Sequence, residues 1–245
     1  MYKRQNNANV DVDSKELSKE FIERQVQQNM SVGKAIKSIV SHYPDHAHNV
    51  VSMALDLYPD KHKEIVHAAV SAEPALSQEF VQIAIEKEIT NCSNIVEAAI
   101  TAEPSYVDFV VKTAVNTNPA QMHDIVRVAV VTEPDSADSI VQTLASSRPN
   151  ETVEILKTAI SAVPFVGEYI VEALLAVFPN KAEEVISTAV RESINDDSHV
   201  EKIIVTAQNA GISHADITAY AIDGGASKDQ VALVLDKNPD SSQEK

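Results

Sequence analysis

Proline recurs along this chain with a spacing that constrains the fold more than any other feature. Nine prolines are separated by fifteen or thirty residues: Pro44, Pro59, Pro74, Pro104, Pro119, Pro134, Pro149, Pro164 and Pro179. Ile89 and Ile194 stand at the two positions of this series that lack proline. Such regularity is typical of repeat proteins, in which each unit buries its apolar face against its neighbours.

Apolar residues follow the same fifteen-residue period. Counted from Ala35, eleven units extend to His199, and the second position of every unit is aliphatic, from Ile36 to Ile186. The fifth position is most often alanine: Ala54, Ala69, Ala84, Ala99, Ala114, Ala129, Ala159 and Ala189. Apolar residues at positions 1, 2, 5 and 6 have the spacing of one helical face. Each unit therefore predicts one helix of about 12 residues that ends before its proline.

The residue after each proline is often of a type that caps helices. We expect N-caps at Asp45, Asp60, Ser105, Asp135, Asn150 and Asn180, and at Asn195 after Ile194. Asn180 and Glu183 have the spacing of a capping box. Turns as short as these make consecutive helices antiparallel, so that two units form a 30-residue helix pair. The predicted fold is all-α, an α-solenoid of stacked antiparallel helices.

The two ends of the chain depart from the repeat. Residues 14–34 predict an N-terminal capping helix, residues 35–199 form the eleven units, and residues 200–237 predict a C-terminal helical cap. Within that cap we expect helices to stop at Gly211 and Gly224 and to start at Ser213 and at Ser227, the latter in a capping box with Gln230. Residues 1–13 and 238–245 are expected to be disordered.

The first residues do not determine the cellular compartment of the protein. Residues 1–10 are polar and contain no secretory signal. Residues 1–5 also match the translation of a transposon adaptor used in sequencing libraries, and such a scar would replace the native start. A signal peptide upstream would make the protein extracellular, whereas the sequence as it stands favours the cytoplasm.

Composition and motifs exclude several functional classes. A net charge of −16 disfavours nucleic acid as a partner. No apolar run approaches the roughly 18 residues that span a bilayer, so we expect no membrane insertion. The chain contains no glycine-rich phosphate loop, no GxSxG, no HExxH and no CxxC sequence, and we therefore expect neither an enzyme nor a bound cofactor.

Residues that precede the prolines are the main candidates for a site. Alternate turns share an edge of a solenoid, which places these residues in two rows. One row contains Tyr43, Glu73, Glu103, Glu133 and Val163, and the other contains Tyr58, Glu88, Asn118, Arg148 and Phe178. The candidate partner-binding residues are Glu73, Glu103, Glu133, Tyr43, Tyr58 and Phe178, although a solvated edge would look the same. Tyr106, Phe109, Phe165 and Tyr169 lie outside the core columns, where a site would be a protein contact.

Histidine and cysteine offer weaker candidates. Five of the eight histidines fall in the first repeats: His42, His46, His48, His62 and His67. His42, His46 and His48 are candidate metal ligands, but Pro44 removes the helical spacing that would bring His42 and His46 together, and solvated side chains explain them as well. Cys92 occupies a repeat position that in five other units holds Ala47, Val107, Met122, Ala137 or Ala182, so a small core residue is expected there.

The unit Ile-Val-x-Ala-Ala-Val-x-Ala-x-Pro, seen at residues 65–74 and 95–104 with small changes, resembles Ala-rich fifteen-residue repeats of uncharacterised, often secreted, bacterial proteins. The architecture is similar to the α-solenoid class of HEAT and tetratricopeptide arrays, without their residue signatures. The resemblance implies a fold and export, and it brings no catalytic residues. The expected function is a scaffold or structural protein that binds another protein or its own copies, including assembly into a filament. The alternative is a protein that binds a metal or small ligand through the histidine-rich first repeats.

Overall fold

The computed structural model describes residues 17–237, and this part of the chain is all-α, without a β-strand. The helices are α1 (Lys19–Asn29), α2 (Val32–His42), α3 (Ala47–Leu57), α4 (His62–Ala72), α5 (Ser77–Glu86), α6 (Cys92–Ala102), α7 (Val107–Thr117), α8 (Met122–Thr132), α9 (Ala137–Ser147), α10 (Thr152–Ala162), α11 (Gly167–Val177), α12 (Ala182–Ser193), α13 (Asp197–Asn209), α14 (His214–Asp223) and α15 (Lys228–Lys237). The prediction of an all-α array of proline-punctuated helices is confirmed.

The helices form two layers. Each helix packs against the helix two places along the chain, so that α2, α4, α6, α8, α10, α12 and α14 make an even layer and the remaining helices make an odd layer. Consecutive helices pack across the two layers. Side-chain hydrogen bonds between repeats join residues 29 to 35 apart in sequence. This separation matches the 30-residue period, because it links helices that are neighbours within one layer.

The core is built from the apolar columns of the repeat. The eight alanines at the fifth position are all fully buried, as are the aliphatic residues at the second position from Ile36 to Ile186. Phe80 is the largest fully buried side chain in a core that otherwise contains mostly alanine, valine, isoleucine and leucine. Small residues at the fifth position allow neighbouring helices to approach closely, which is the usual role of alanine at a helix contact.

The turn between α4 and α5 shows how the proline works. The residue before the proline, Glu73, has φ −142° and ψ 79°, and its N–H donates to the carbonyl of Ala69 at 3.0 Å. Pro74–Leu76 forms a 3-10 turn in which the N–H of Leu76 donates to the carbonyl of Glu73 at 3.1 Å. A regular unit is thus an 11-residue α-helix, one non-helical residue and a three-residue 3-10 turn that leads into the next helix.

The predicted N-caps after the prolines are wrong. Asp45, Asp60, Ser105, Asp135, Asn150 and Asn180 lie inside the 3-10 turns. The helices that follow begin without a side-chain capping hydrogen bond, so the box between Asn180 and Glu183 does not form either. The reason is that the 3-10 turn supplies backbone carbonyls to the first N–H groups of the helix, which leaves no donor for a side-chain cap.

Within the eleven units, side-chain caps occur at the two turns that lack proline. Asn91 accepts the N–H of Asn94 at 3.0 Å at the start of α6. Asp196, rather than the predicted Asn195, accepts the N–H of Ser198 at 2.9 Å at the start of α13. Without the proline there is no 3-10 turn ahead of the helix, and a side chain takes over its capping role.

The segment predicted as an N-terminal capping helix, residues 14–34, contains α1 and the first three residues of α2, which is the helix of the first repeat unit. Ser18 caps α1, which ends at Met30 in a left-handed conformation, and Ser31 caps α2. Residues 14–16 of that prediction, and the disorder predicted for residues 1–13 and 238–245, lie outside the described residues.

The C-terminal helices begin and end near the predicted residues. Gly211 and Gly225 adopt positive φ after α13 and α14. Ser213 accepts the N–H of Asp216, and Ser227 accepts the N–H of Gln230, each at 3.1 Å. The side chain of Gln230 donates to Asp197 at 2.8 Å, so it ties α15 to α13 in the odd layer. None of the helices within residues 17–237 is both long and apolar enough to cross a membrane.

Candidate functional site

One edge of the solenoid carries many carboxylates and no lysine or arginine of its own. We call it the acidic edge and define it by the turns from even to odd helices, residues 43–49, 73–79, 103–109, 133–139 and 163–169. These segments contain no lysine or arginine. Their carboxylates are Asp45, Glu73, Glu79, Glu103, Asp108, Glu133, Asp135, Asp138 and Glu168. The corresponding turns on the opposite edge contain lysine and arginine, namely Lys61, Lys63, Arg148 and Lys181. The absence of these residues is therefore specific to the acidic edge.

The three glutamates predicted from the sequence lie on the acidic edge. Glu73, Glu103 and Glu133 directly follow α4, α6 and α8, at equivalent positions of three successive helices in the even layer. All three are half-buried, and Glu103 accepts a hydrogen bond from the hydroxyl of Ser105 at 2.6 Å. At the ends of this row Tyr43 is exposed and Val163 is buried.

Ion pairing leaves most of the acidic edge unneutralised. Glu168 pairs with Lys202 at 2.8 Å, and this hydrogen bond raises the pKa of the Lys202 ammonium. Asp108 accepts a hydrogen bond from Ser139 at 3.0 Å. Among the described residues, no lysine, arginine or histidine forms an ion pair with the other carboxylates of the edge. The edge therefore presents a row of carboxylates that are available to a positively charged partner.

Aromatic side chains lie on the same edge. Phe109, Phe165 and Tyr169 are 52%, 53% and 56% exposed, and the rings of Tyr106 and Phe109 are 5.8 Å apart between centroids. Phe109 in α7 and Tyr169 in α11 occupy the same repeat position, with the small Ser139 of α9 between them. The sequence identified these four aromatics, but it did not place them beside the glutamates. All four follow Pro104 or Pro164 within five residues, and this nearness to prolines of the same row is the signal that would have done so.

One cleft on the acidic edge is lined by both carboxylates and aromatic rings. It lies between the starts of α9 and α11, has a volume of about 380 Å³, and is lined by Asp135, Asp138, Phe165 and Tyr169. Carboxylates next to exposed aromatic faces suit a lysine or arginine side chain, because the cation interacts with both the charge and the ring.

Tyr58 and Phe178 do not join the acidic edge. They follow the odd helices α3 and α11, at the opposite edge, and both are partly buried against the core. Burial raises the pKa of the Tyr58 phenol, and the nearby Glu23 adds to the shift. In the same row, Arg148 donates to the carbonyl of Val115 at 3.4 Å, which joins the residue after α9 to the last turn of α7.

The histidines of the first repeats do not converge. His42 bonds through Nδ1 to the carbonyl of Ser38 at 2.8 Å, and His62 bonds to the carbonyl of Pro59 at 2.9 Å. His46 lies in the turn after α2, and His48 is exposed at the start of α3. Within residues 17–237, no group of three or more His, Cys, Asp or Glu side chains has an arrangement that could hold a metal ion.

Cys92 lies in the core, at the first residue of α6, with 2% of its surface exposed. Burial raises the pKa of its thiol, which opposes the lowering that a helix N-terminus would cause. Its N–H donates to the side chain of Gln121 at 3.0 Å, a contact between α6 and the turn before α8. The environment of Cys92 is that of a packing residue rather than a nucleophile.

Comparisons with known proteins give no further identification. No protein-family model matches the chain, and no curated protein or solved structure is significantly similar to it.

Proposed function

We propose that this protein is a non-enzymatic scaffold that binds a basic segment of another protein, or of its own copies, along the acidic edge. One observation carries the proposal: unneutralised carboxylates and exposed aromatic rings share an edge that has no lysine or arginine. Aromatic residues are enriched among the side chains that dominate binding energy at protein interfaces. Complementary charge increases the rate of association and selects against the wrong partner.

Self-assembly is the form of this function in which the partner is a second copy. A contact between two different surfaces of the same chain forms a closed ring when the rotation between copies permits it. When the rotation does not permit closure, the contact extends into a filament. Electron microscopy and light scattering over a concentration series distinguish the two forms. Filaments identify a second copy as the partner, whereas monomers at all concentrations exclude self-assembly and leave a different protein as the proposed partner.

The edge is tested by removing its charge without removing its shape. The variant Glu73→Gln/Glu103→Gln/Glu133→Gln is compared with Asp60→Asn/Asp124→Asn/Glu183→Gln, which makes the same charge change at exposed residues of the opposite edge. The probe is a short fluorescent peptide of alternating arginine and leucine, titrated by anisotropy. Since exposed ion pairs contribute modestly, three of them predict about 3- to 100-fold weaker binding for the first variant.

The control variant decides whether the effect belongs to the acidic edge. We expect its affinity for the peptide to stay near that of the wild type. If both variants weaken binding equally, the peptide responds to net charge alone, and the acidic edge is a solvated surface. Melting curves should remain similar, because neither set of carboxylates is fully buried.

The alternative, a protein that binds a metal or small ligand through the first repeats, has one observation in its favour. The histidines do not form a metal site among the described residues, but an open groove lies across the first three helices of the even layer and includes His67. The chemistry of that groove differs from the chemistry of the acidic edge.

A further inference from the structure

We propose that the groove across α2, α4 and α6 is a binding site for a small organic anion that has an apolar body. The groove lies on the solvent-facing side of the even layer and has a volume of about 510 Å³. Small-molecule sites usually have volumes of about 300–1,000 Å³ and combine an apolar lining with a few polar groups. The inference is independent of the acidic edge, which no residue of the groove shares.

Small side chains form the floor of the groove. Ala68 in α4 and Ala98 in α6 are each 6% exposed, and Ser71 and Thr101 lie one turn further along the same helices. At the equivalent positions of the next even helix, α8, the chain has Val128 and Val131. The lining of the groove ends at α6, and these larger side chains stand where the small ones would continue the floor into α8.

Positive charge lines the wall of the groove. Lys34 and Lys37 in α2 are exposed, and neither forms an ion pair with a residue in the described range. A third ammonium, that of Lys63, pairs with Glu97 at 2.6 Å. In a chain with a net charge of −16, this is a concentration of cations that are free to meet a negatively charged group.

The carboxylates of the groove are already engaged. Besides Glu97, the wall contains Glu64, whose Oε1 accepts the hydroxyl of Ser31 at 2.7 Å and the N–H of Gly33 at 2.8 Å. These bonds satisfy the start of α2 and lower the pKa of the Glu64 carboxyl. Since both carboxylates have partners within the protein, the lysines of α2 remain available to a ligand.

At the other end of the layer, α12 has a carboxylate where α2 has a lysine. Glu183 and Glu184 of α12 occupy the repeat positions held by Gly33 and Lys34 in α2. An anion is therefore attracted to the first repeats and repelled by the last ones. The apolar floor selects a ligand with an apolar body, and the lysines select one with a carboxylate, sulfonate or phosphate group.

Anilinonaphthalene sulfonate, a fluorescent anion with an apolar body, is a suitable probe. Its affinity is measured by fluorescence titration for the wild type, for Lys34→Gln/Lys37→Gln and for the matched control Lys112→Gln/Lys157→Gln, which removes two exposed lysines elsewhere. A second variant, Ala68→Val/Ser71→Val, fills the groove with the side chains that α8 already has. Nile red, an apolar dye without charge, tests whether the lysines matter only for an anion. Sedimentation velocity measures the oligomeric state of each variant, and circular dichroism verifies that it folds.

We expect Lys34→Gln/Lys37→Gln to weaken binding of the anion about 2- to 30-fold, and the lysine control to leave it unchanged. Ala68→Val/Ser71→Val should abolish binding, and Nile red should be insensitive to the lysines. If Ala68→Val/Ser71→Val fails to fold, the comparison of Lys34→Gln/Lys37→Gln with its lysine control tests the proposal. Equal effects of the two lysine pairs, or binding of the anion to the filled groove, overturn the proposal. A dimer that Lys34→Gln/Lys37→Gln dissociates also overturns it, since a second copy would then cover the groove.

Discussion

The contact between Glu64 and the start of α2 provides a direct test of how neighbouring repeats are joined. Oε1 of Glu64 in α4 accepts two hydrogen bonds from α2, one from the hydroxyl of Ser31 at 2.7 Å and one from the N–H of Gly33 at 2.8 Å. A Cβ on residue 33 would lie 2.8 Å from Cγ of Glu64, so any larger residue would force the Glu64 side chain to shift. Glu64→Gln retains the shape of the side chain and removes its charge.

The expected cost follows from the change in hydrogen-bond strength. A hydrogen bond to a charged group contributes about 1.5–3 kcal/mol and a neutral one about 0.5–1.5 kcal/mol. Both bonds of Glu64 end on one oxygen, and the side chain is partly exposed to water. Allowing for that screening, we expect Glu64→Gln to destabilise the contact between α2 and α4 by about 1–2 kcal/mol.

The effect should be local, because a solenoid opens from its ends. Hydrogen exchange of the α2 amides, followed by mass spectrometry, should accelerate by about 5- to 30-fold at neutral pH. The matched control is Glu154→Gln, at the same repeat position in α10, where the carboxylate is exposed. Exchange in α10 should not change in the control. Unaltered exchange of α2 in Glu64→Gln would refute the reasoning.

Acid provides the second signature of this contact. The N–H of Gly33 and the hydroxyl of Ser31 hold the pKa of Glu64 below its ordinary value of 4.5. A carboxyl group with a lowered folded-state pKa stabilises the fold above pH 4.5, and the stabilisation is lost as the pH falls through the folded-state pKa. The wild type and Glu64→Gln should therefore converge in acid. A difference that persists below that pKa would show that charge is not responsible.

Two further predictions concern the core. Ala99→Phe places a large side chain in a fully buried position of α6, and overpacking should lower stability by about 1–3 kcal/mol or more. An unchanged thermal melting curve would contradict the close packing of α6. Cys92 should react slowly with iodoacetamide in the native protein and rapidly in denaturant, as measured by mass spectrometry, because burial covers the thiol and raises its pKa. Equal rates in the two conditions would place Cys92 at the surface.

The fold could be predicted because every unit repeats the same physical constraint. A proline every fifteen residues sets the length of each helix, and the columns from Ile36 to Ile186 set the buried face. The cap residues were mispredicted because Asp and Asn after proline are typical of turns as well as of N-caps. Asp60, for instance, lies within a 3-10 turn whose backbone already satisfies the following helix. Only packing in three dimensions distinguishes the two roles.

Predicting the candidate sites requires knowing which helices are neighbours within a layer, in addition to the repeat. The period alone placed Glu73, Glu103 and Glu133 in one row, since that row depends only on distance from the proline. The groove depends on Lys34 and Ala68 being neighbours across two helices of one layer, which no single helix reveals. The constraint that makes the core regular leaves the outward positions free to vary. The concentration of cations over α2 and α4, and their exclusion from the acidic edge, are therefore not required by the fold, and these departures from the repeat are where binding specificity is expected.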